Sequence, residues 1–531
     1  MARIMYTCFI AFLFPLAGIT QQPGATIDVQ HYDFSIQVND NNDTITGNAV
    51  VEVVLLKNAT TISIDLVKPN QTGKGMRVLL VQEDHITVPF IQQNERLDIQ
   101  THQPVVAGEH HVYTISYTGI PADGLIISTN KYGHRTFFAD NWPNRAHNWL
   151  PCIDHPADKA SVDFTIIAPD HYQVVANGIQ IEETNLPDHF KRTHWKEEAL
   201  LATKVLAVGI ADFAVNYAGD ANGIPVYSWV FPEDRDNGFY DYAQAVDILP
   251  FFIKNIGPYA YRKLANVQSK TRFGGLENAN TIFYYENSIT GTRYSEALLT
   301  HEIAHQWFGN VATETNWPHL WLSEGFATYM TNLYLENKYG RDTLVKLLTK
   351  QREEVVAFSK KRFTPVVDTT AADYMDLLNA NSYQKGGWVL HMLRSKLGDS
   401  MFYKSIQQYY AAYKGKNAST DDLRKIIEKV SGVNLQSFFT QWLFTSGHPV
   451  LSVQWKYSVK KKALQVTITQ KQATVFSFPL ELRIVAGTIG SIYQTVELHD
   501  RVTSFTVQSN IKPTAVIADP DTKLLFEEAI N

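Results

Sequence analysis

A chain of 531 residues is long enough for about three domains, each with its own buried core. With 45 % hydrophobic and 19 % charged residues it has the composition of an ordinary globular protein, which excludes a disordered or fibrous chain. The formal charge of −6, from 53 acidic and 47 basic residues, speaks against nucleic acid as a partner.

The first twenty residues stand apart. Arg3 precedes an apolar stretch from Ile4 to Ile19, with the small residues Ala17 and Gly18 ahead of Gln21 and Gln22. This is the pattern of a secretory signal, with cleavage expected near Thr20. An uncleaved anchor fits less well, because the run is short for a span and Pro15 interrupts it. Cys8 sits in no lipobox, so lipid attachment is not expected. No later stretch has the length to cross a bilayer. The expectation is therefore an exported protein, periplasmic or extracellular, without stable membrane insertion. Cys152 is then the single cysteine and has no internal partner.

From about Thr26 to Phe213 the text alternates, as in Tyr32 to Ile36, Val50 to Leu56, Thr61 to Leu66 and Val112 to Tyr117. Asn, Asp and Gly clusters punctuate it, notably Asn39 to Asn42. Many short strands in an all-β domain are predicted, the last of them over Leu200 to Phe213. Near Asn222 to Pro225 the pattern changes. After a short β stretch, Asp241 to Ile256 reads as an amphipathic helix, and helical periodicity dominates to about Gly447.

Within this helical part, Leu299 to Tyr329 carries the chemistry. His301, Glu302 and His305 form His-Glu-x-x-His. On a helix, residues four apart lie on one face, so His301 and His305 present two imidazole nitrogens to one point. Glu302 projects about 100° round the helix, beside that point. Zinc accepts two histidines and a carboxylate and leaves one position to water, whose proton Glu302 is placed to take. Asn310 and Pro318 bracket a break, and Leu320 to Tyr339 resumes helical periodicity. Two antiparallel helices with a short connection bring Glu324 back over the histidines as a third ligand. One zinc per chain is expected. His147, His155 and His319 lack a ligand partner at useful spacing and read as surface or packing residues.

Further helices are predicted over Tyr383 to Leu397, Met401 to Tyr413 and Asp421 to Val430, the last capped by Ser419 or Thr420. Gly447-His448-Pro449 is a breaker cluster and a domain boundary. Beyond it, Val450 to Val459 and Ala463 to Thr469 alternate around Lys460 to Lys462, a solvated hairpin tip. With strands at Leu480 to Val485, Tyr493 to Leu498 and Thr503 to Val507 they make a small β-sandwich.

The chain from about residue 25 to its end resembles the M1 (gluzincin) aminopeptidases, a family that includes aminopeptidase N and leukotriene A4 hydrolase. The residues that carry the resemblance are HEIAHQWFGN from His301, LWLSEGFATY from Leu320, GGLEN from Gly274 and Tyr383 in NSYQKGG. It implies a multidomain α+β fold. Residues 1–20 are then the signal, 21–215 a β saddle domain, 216–446 a mainly helical, thermolysin-like catalytic domain, and 447–531 the small β-sandwich. The activity implied is zinc-dependent removal of the first residue from peptides with a free N-terminus.

The resemblance also implies substrate contacts. Two of the metal's charges are balanced by Glu324 and Glu302, so a further carboxylate in the cleft is costly until a cation joins it. By resemblance that carboxylate is Glu277, and its counterion is the substrate's α-ammonium group. Gly274 and Gly275 let backbone approach the substrate, Leu276 stands where methionine is commoner in the family, and Asn278 closes the motif. Tyr383 is the implied donor to the oxyanion. The family also places an acidic or amide residue of the N-terminal domain near the amine. In the corresponding FFADNWPNRAHNWLPC, from Phe137, Asp140 is the match and Asn141 the alternative.

Many members continue into a large helical C-terminal domain, whereas this sequence stops at Asn531. A more open active site is expected if no partner supplies that cover. The first rival reading is an epoxide hydrolase of the leukotriene A4 type. It needs an aspartate shortly before the tyrosine, and neither Asp373 nor Asp376 has the matching spacing. The second is a non-catalytic peptide-binding relative, against which the full set of ligands, base and tyrosine argues. Oligomeric state is not legible.

Overall fold

A computed structural model describes residues 25–486 and 490–529. The proposed signal and Cys8 lie outside the described residues. From Ile27 to Ala211 the chain is built of strands. They form one eight-stranded sheet, one four-stranded sheet and one three-stranded sheet. The alternation seen in the sequence is the burial pattern of these strands: in Ile45–Leu55 every second residue faces the core. The stretch expected to be one last strand, Leu200 to Phe213, is broken. Strand Phe190–Ala202 gives way to a 3-10 turn, Thr203–Val205, before Val208–Ala211 joins a different sheet.

A five-stranded sheet opens at Ala214 with the hairpin Ala214–Ala221 and Ile224–Val230. It continues through Leu264–Ser269 and Thr281–Tyr285, both added in parallel, and ends on the two-residue edge strand Gly275–Leu276. Leu264–Ser269 is buried along its whole length although it carries Asn266, Gln268 and Ser269. Each finds a partner: Asn266 accepts from the Tyr284 hydroxyl, Gln268 accepts from the Phe231 amide, and Ser269 donates to the Tyr284 carbonyl.

Nine α-helices complete the described catalytic region: α1 (Arg235–Tyr242), α2 (Ala245–Asn255), α3 (Glu296–His305), α4 (Trp321–Tyr339), α5 (Arg341–Ser359), α6 (Gly386–Leu397), α7 (Asp399–Tyr413), α8 (Thr420–Ser431) and α9 (Gln436–Leu443). The helix expected over Asp241 to Ile256 is thus two. Asp241 is fully buried, and its carboxylate accepts from the backbone amides of Thr290, Gly291 and Arg293. Gln244 bonds the Asp241 carbonyl, so the first helix stops there. Ser419 caps α8 through a capping box with Asp422.

The C-terminal strands form two facing sheets of four and three strands. Lys460 to Lys462 lie in the turn between Val450–Ser458 and Ala463–Gln470. Trp442 of α9 packs on Phe476 and Phe478 and joins this sandwich to the helices. The N-terminal sheets meet the catalytic region at the connection after α3. Lys204 and Glu314 pair there at 2.5 Å, both fully buried. Lys159 donates to the carbonyls of Asn310 and Val311. Buried pairs of this kind fix alignment more than they add stability, but removing one partner costs about 3–5 kcal/mol. No helix among the described residues is long and apolar enough to cross a membrane.

Candidate active site

Helix α3 ends on His305, and α4 begins only fifteen residues or so further on, after the short strand Ala312–Glu314 and the 3-10 turn Trp317–His319. This connection turns α4 back against α3. The Nε2 atoms of His301 and His305 are 3.1 Å apart, and each is 3.3 Å from Glu324 Oε2. One ligand atom from each residue falls within 4.8 Å of the others. On His305, Nδ1 lies 3.1 Å from the Phe308 carbonyl and 3.0 Å from Ser323 Oγ. A proton donated from Nδ1 to that carbonyl leaves Nε2 with its lone pair facing the cluster.

Charge makes the same case. Burial opposes ionisation of Glu302, and its carboxyl is pushed well above the usual range, with Glu277 and Glu324 adding to the effect. Burial also raises Glu277. Burial works against Glu324 too, but His305 and His301 outweigh it and hold that carboxyl well below the usual range. On His305, burial is overcome by Glu324, Glu277 and Glu302, and the pKa rises to about 9. The cluster therefore draws in positive charge. Glu324 Oε2 is buried and, among the described residues, takes no hydrogen bond of normal geometry although both imidazoles stand 3.3 Å away, so a dication fits this donor set.

A cavity of about 260 Å³ opens over the cluster, and Glu302, Glu277, Gly274, Gly275, Leu276 and Tyr383 line it with the three candidate ligands. Glu277 is 6 % exposed, and its Oε1 has no hydrogen-bond partner. Its backbone carbonyl is held by the side chains of Asn310 and Gln306. Gly275 lies so close to Glu302 that a Cβ there would overlap the carboxylate. Tyr383 sits in a π-helical turn, Asn381–Lys385, that leads into α6, and its ring stacks on His301 with centroids 5.9 Å apart. This turn reaches the metal-ligand helix because Gly325 and Gly386 meet: a Cβ on Gly325 would stand 2.9 Å from the Gly386 Cα. Burial and the carboxylates of Glu324, Glu277 and Glu302 push the Tyr383 phenol well above its ordinary pKa, so it keeps its proton.

Two expected contacts lie elsewhere. Asp140 does not line the cavity. Its carboxylate is fully buried, paired with Arg145, and accepts from Thr271 Oγ1 and the Arg272 amide. Asn141 bonds the Leu206 carbonyl and the Trp149 indole. Asn278 is buried behind the wall. From the Asp140 segment it is Trp142 that faces the cavity, with Phe273, Leu298 and Leu378 as further walls not foreseen from sequence. Their only signal was position, since Trp142 and Phe273 each adjoin a motif that was singled out. Asp373 caps the turn at Met375, and Asp376 pairs with Arg362, so neither lines the cavity.

The chain matches the family model of the Peptidase M1 N-terminal domain over residues 28–204 and that of the Peptidase family M1 domain over residues 240–442. It is 31 % identical over 327 residues to Aminopeptidase M1-C of Oryza sativa subsp. japonica, covering 59 % of this chain and 37 % of that protein. It is 26 % identical over 459 residues to Aminopeptidase N of Mus musculus, covering 77 % of this chain and 47 % of that protein. The chain thus spans less than half the length of these relatives. A crystal structure of an M1 zinc metallopeptidase from Deinococcus radiodurans shares the fold, with a TM-score of 0.68 and 23 % identity over 80 % of this chain and 95 % of that one.

Proposed function

This chain belongs to peptidase family M1, and from that premise we propose that it is a zinc-dependent aminopeptidase that removes the first residue from peptides with a free N-terminus. The observation that carries the reading is Glu277, a buried carboxylate with an unpartnered oxygen in the same cavity as the His301, His305 and Glu324 cluster. An endopeptidase has no use for that charge, whereas an α-ammonium group neutralises it.

Zinc held by those three residues would polarise a water molecule and the scissile carbonyl. Glu302, ionised once a bound dication offsets the burial that raises its carboxyl, would take the water's proton and return it to the leaving amine. Tyr383, neutral because its phenol pKa is high, donates to the oxygen that gains charge as the carbonyl is attacked. Glu277 anchors the ammonium, and the free side of the edge strand Gly275–Leu276 offers main-chain groups to the peptide. The leader read in residues 1–20 supports export.

The test compares an aminoacyl anilide with its N-acetylated form. Acetylation removes the cation that Glu277 binds and is expected to lower kcat/KM by roughly 30-fold or more. Equal cleavage of both would rule out the exopeptidase. Chelator should abolish turnover and added zinc restore it; persistent turnover in protein shown free of metal would end the zinc reading.

Packing at Gly275 supplies a second check. Gly275→Ala pushes Glu302 off its position without opening a cavity, so kcat should fall about 10²-fold, as expected for a misplacement of about 1 Å. Melting temperature and zinc content should change little. A variant with unaltered kcat would show that Glu302 does not need this close contact.

A further inference from the structure

We propose that Asp140 is a positioning residue: from the N-terminal domain it fixes the segment that leads into Glu277, and it acts on substrate only through that segment. This rests on the aminopeptidase reading above. Family resemblance suggested a direct contact between Asp140 and the substrate amine, but the side chain is spent inside the protein. Its carboxylate is 0 % exposed. One oxygen pairs with Arg145, and the other accepts from Thr271 Oγ1 at 3.1 Å and the Arg272 amide at 3.0 Å. The Asp140 amide donates to the Gly124 carbonyl at 2.7 Å, and Arg145 Nε donates to the Asp140 carbonyl, so the residue is itself held from both sides.

What it grips is the approach to the amine site. Thr271 to Phe273 runs directly into Gly274, Gly275, Leu276 and Glu277. Gly275–Leu276 is an edge strand of two residues, paired on one side only with Thr281–Tyr285. Two residues of ladder cannot hold a strand in register against a charged ligand. Asn310 and Gln306 hold the Glu277 carbonyl at the far end of the segment, and the N-terminal domain restrains its leading end. Arg145, paired with Asp140, lies over the Phe273 ring at 5.8 Å, and Arg272 pairs with Asp123 of the same domain. Asp140 is the central acceptor of this clamp, because among the described residues it alone bonds the backbone of the segment and the Thr271 side chain at once.

The expected signature is a KM effect. In Asp140→Ala the segment loosens, Glu277 is less well placed for the ammonium, and KM for a free-amine anilide rises about tenfold, as for one lost interaction of about 1.4 kcal/mol. The kcat value stays within about threefold, since His301, Glu302, His305 and Glu324 lie on α3 and α4. Hydrogen exchange of the amides of 271–277 should accelerate in the variant. Thr271→Val removes the bond to Asp140, together with the hydroxyl that accepts from the Phe273 amide at 3.3 Å, without leaving Arg145 unpaired, so it remains informative if Asp140→Ala folds poorly. It should raise KM in the same direction, and the double variant should fall clearly short of additivity, because both remove the Thr271–Asp140 contact and only the Phe273 amide bond is lost separately.

Additive effects in the double variant, a loss in kcat at unchanged KM, or unchanged exchange in 271–277 would overturn the proposal. These outcomes are separable from failure of the aminopeptidase reading. That failure shows in the wild-type protein as absent or acetylation-insensitive cleavage, whereas the exchange measurement needs no turnover.

Discussion

Glu302→Gln is expected to cut kcat for an aminoacyl anilide by about 10²–10⁴, the range for a lost general acid–base. Glutamine keeps the size of the side chain, so the contact with Gly275 survives, but it cannot accept the proton. Zinc content should not change, because His301, His305 and Glu324 supply the ligand atoms. Stability should hold or rise. In the metal-free protein burial raises the Glu302 carboxyl well above the usual range, so there its ionised form costs the folded state energy that the amide does not. A fully zinc-loaded variant that keeps a tenth or more of wild-type kcat would remove Glu302 from the role of base.

Glu277→Gln should act on binding of one class of substrate. Breaking one partner of a buried charge pair costs about 2–5 kcal/mol, or roughly 30-fold to several thousand-fold in kcat/KM for free-amine substrates. The N-acetylated anilide brings no cation and should lose almost nothing, so the variant narrows the ratio between the two. The strand should stay in place, since Asn310 and Gln306 hold the Glu277 backbone carbonyl rather than its side chain. Equal losses on both substrates would mean that the carboxylate supports the cavity and does not read the amine.

The candidate His301, His305 and Glu324 cluster was legible because its rules are local. The spacing of His301 and His305 is one helical turn, and Glu324 follows on the next helix after a break marked by Asn310 and Pro318. The N-terminal strands were legible for the same reason, since their alternation follows from one buried face. Leu264–Ser269 was not, because a strand buried on both faces that pairs its polar residues inside the core shows no alternation. The walls Trp142, Leu298 and Leu378 come from three separate segments, and nothing in the periodicity of any one says that the others meet it. Asp140 exposes the limit most clearly. The family resemblance matched it, or Asn141, to a residue near the amine, and tertiary packing decided that Arg145, Thr271 and Arg272 would take its carboxylate.

Where Gly325 meets Gly386, helices α4 and α6 touch main chain to main chain. No layer of side chains lies between them to compress, repack or change rotamer. The interval between the Tyr383 turn and Glu324 is therefore a backbone dimension, as stiff as the helices themselves. The Tyr383 turn and Glu324 therefore keep their separation for as long as α4 and α6 stay in contact.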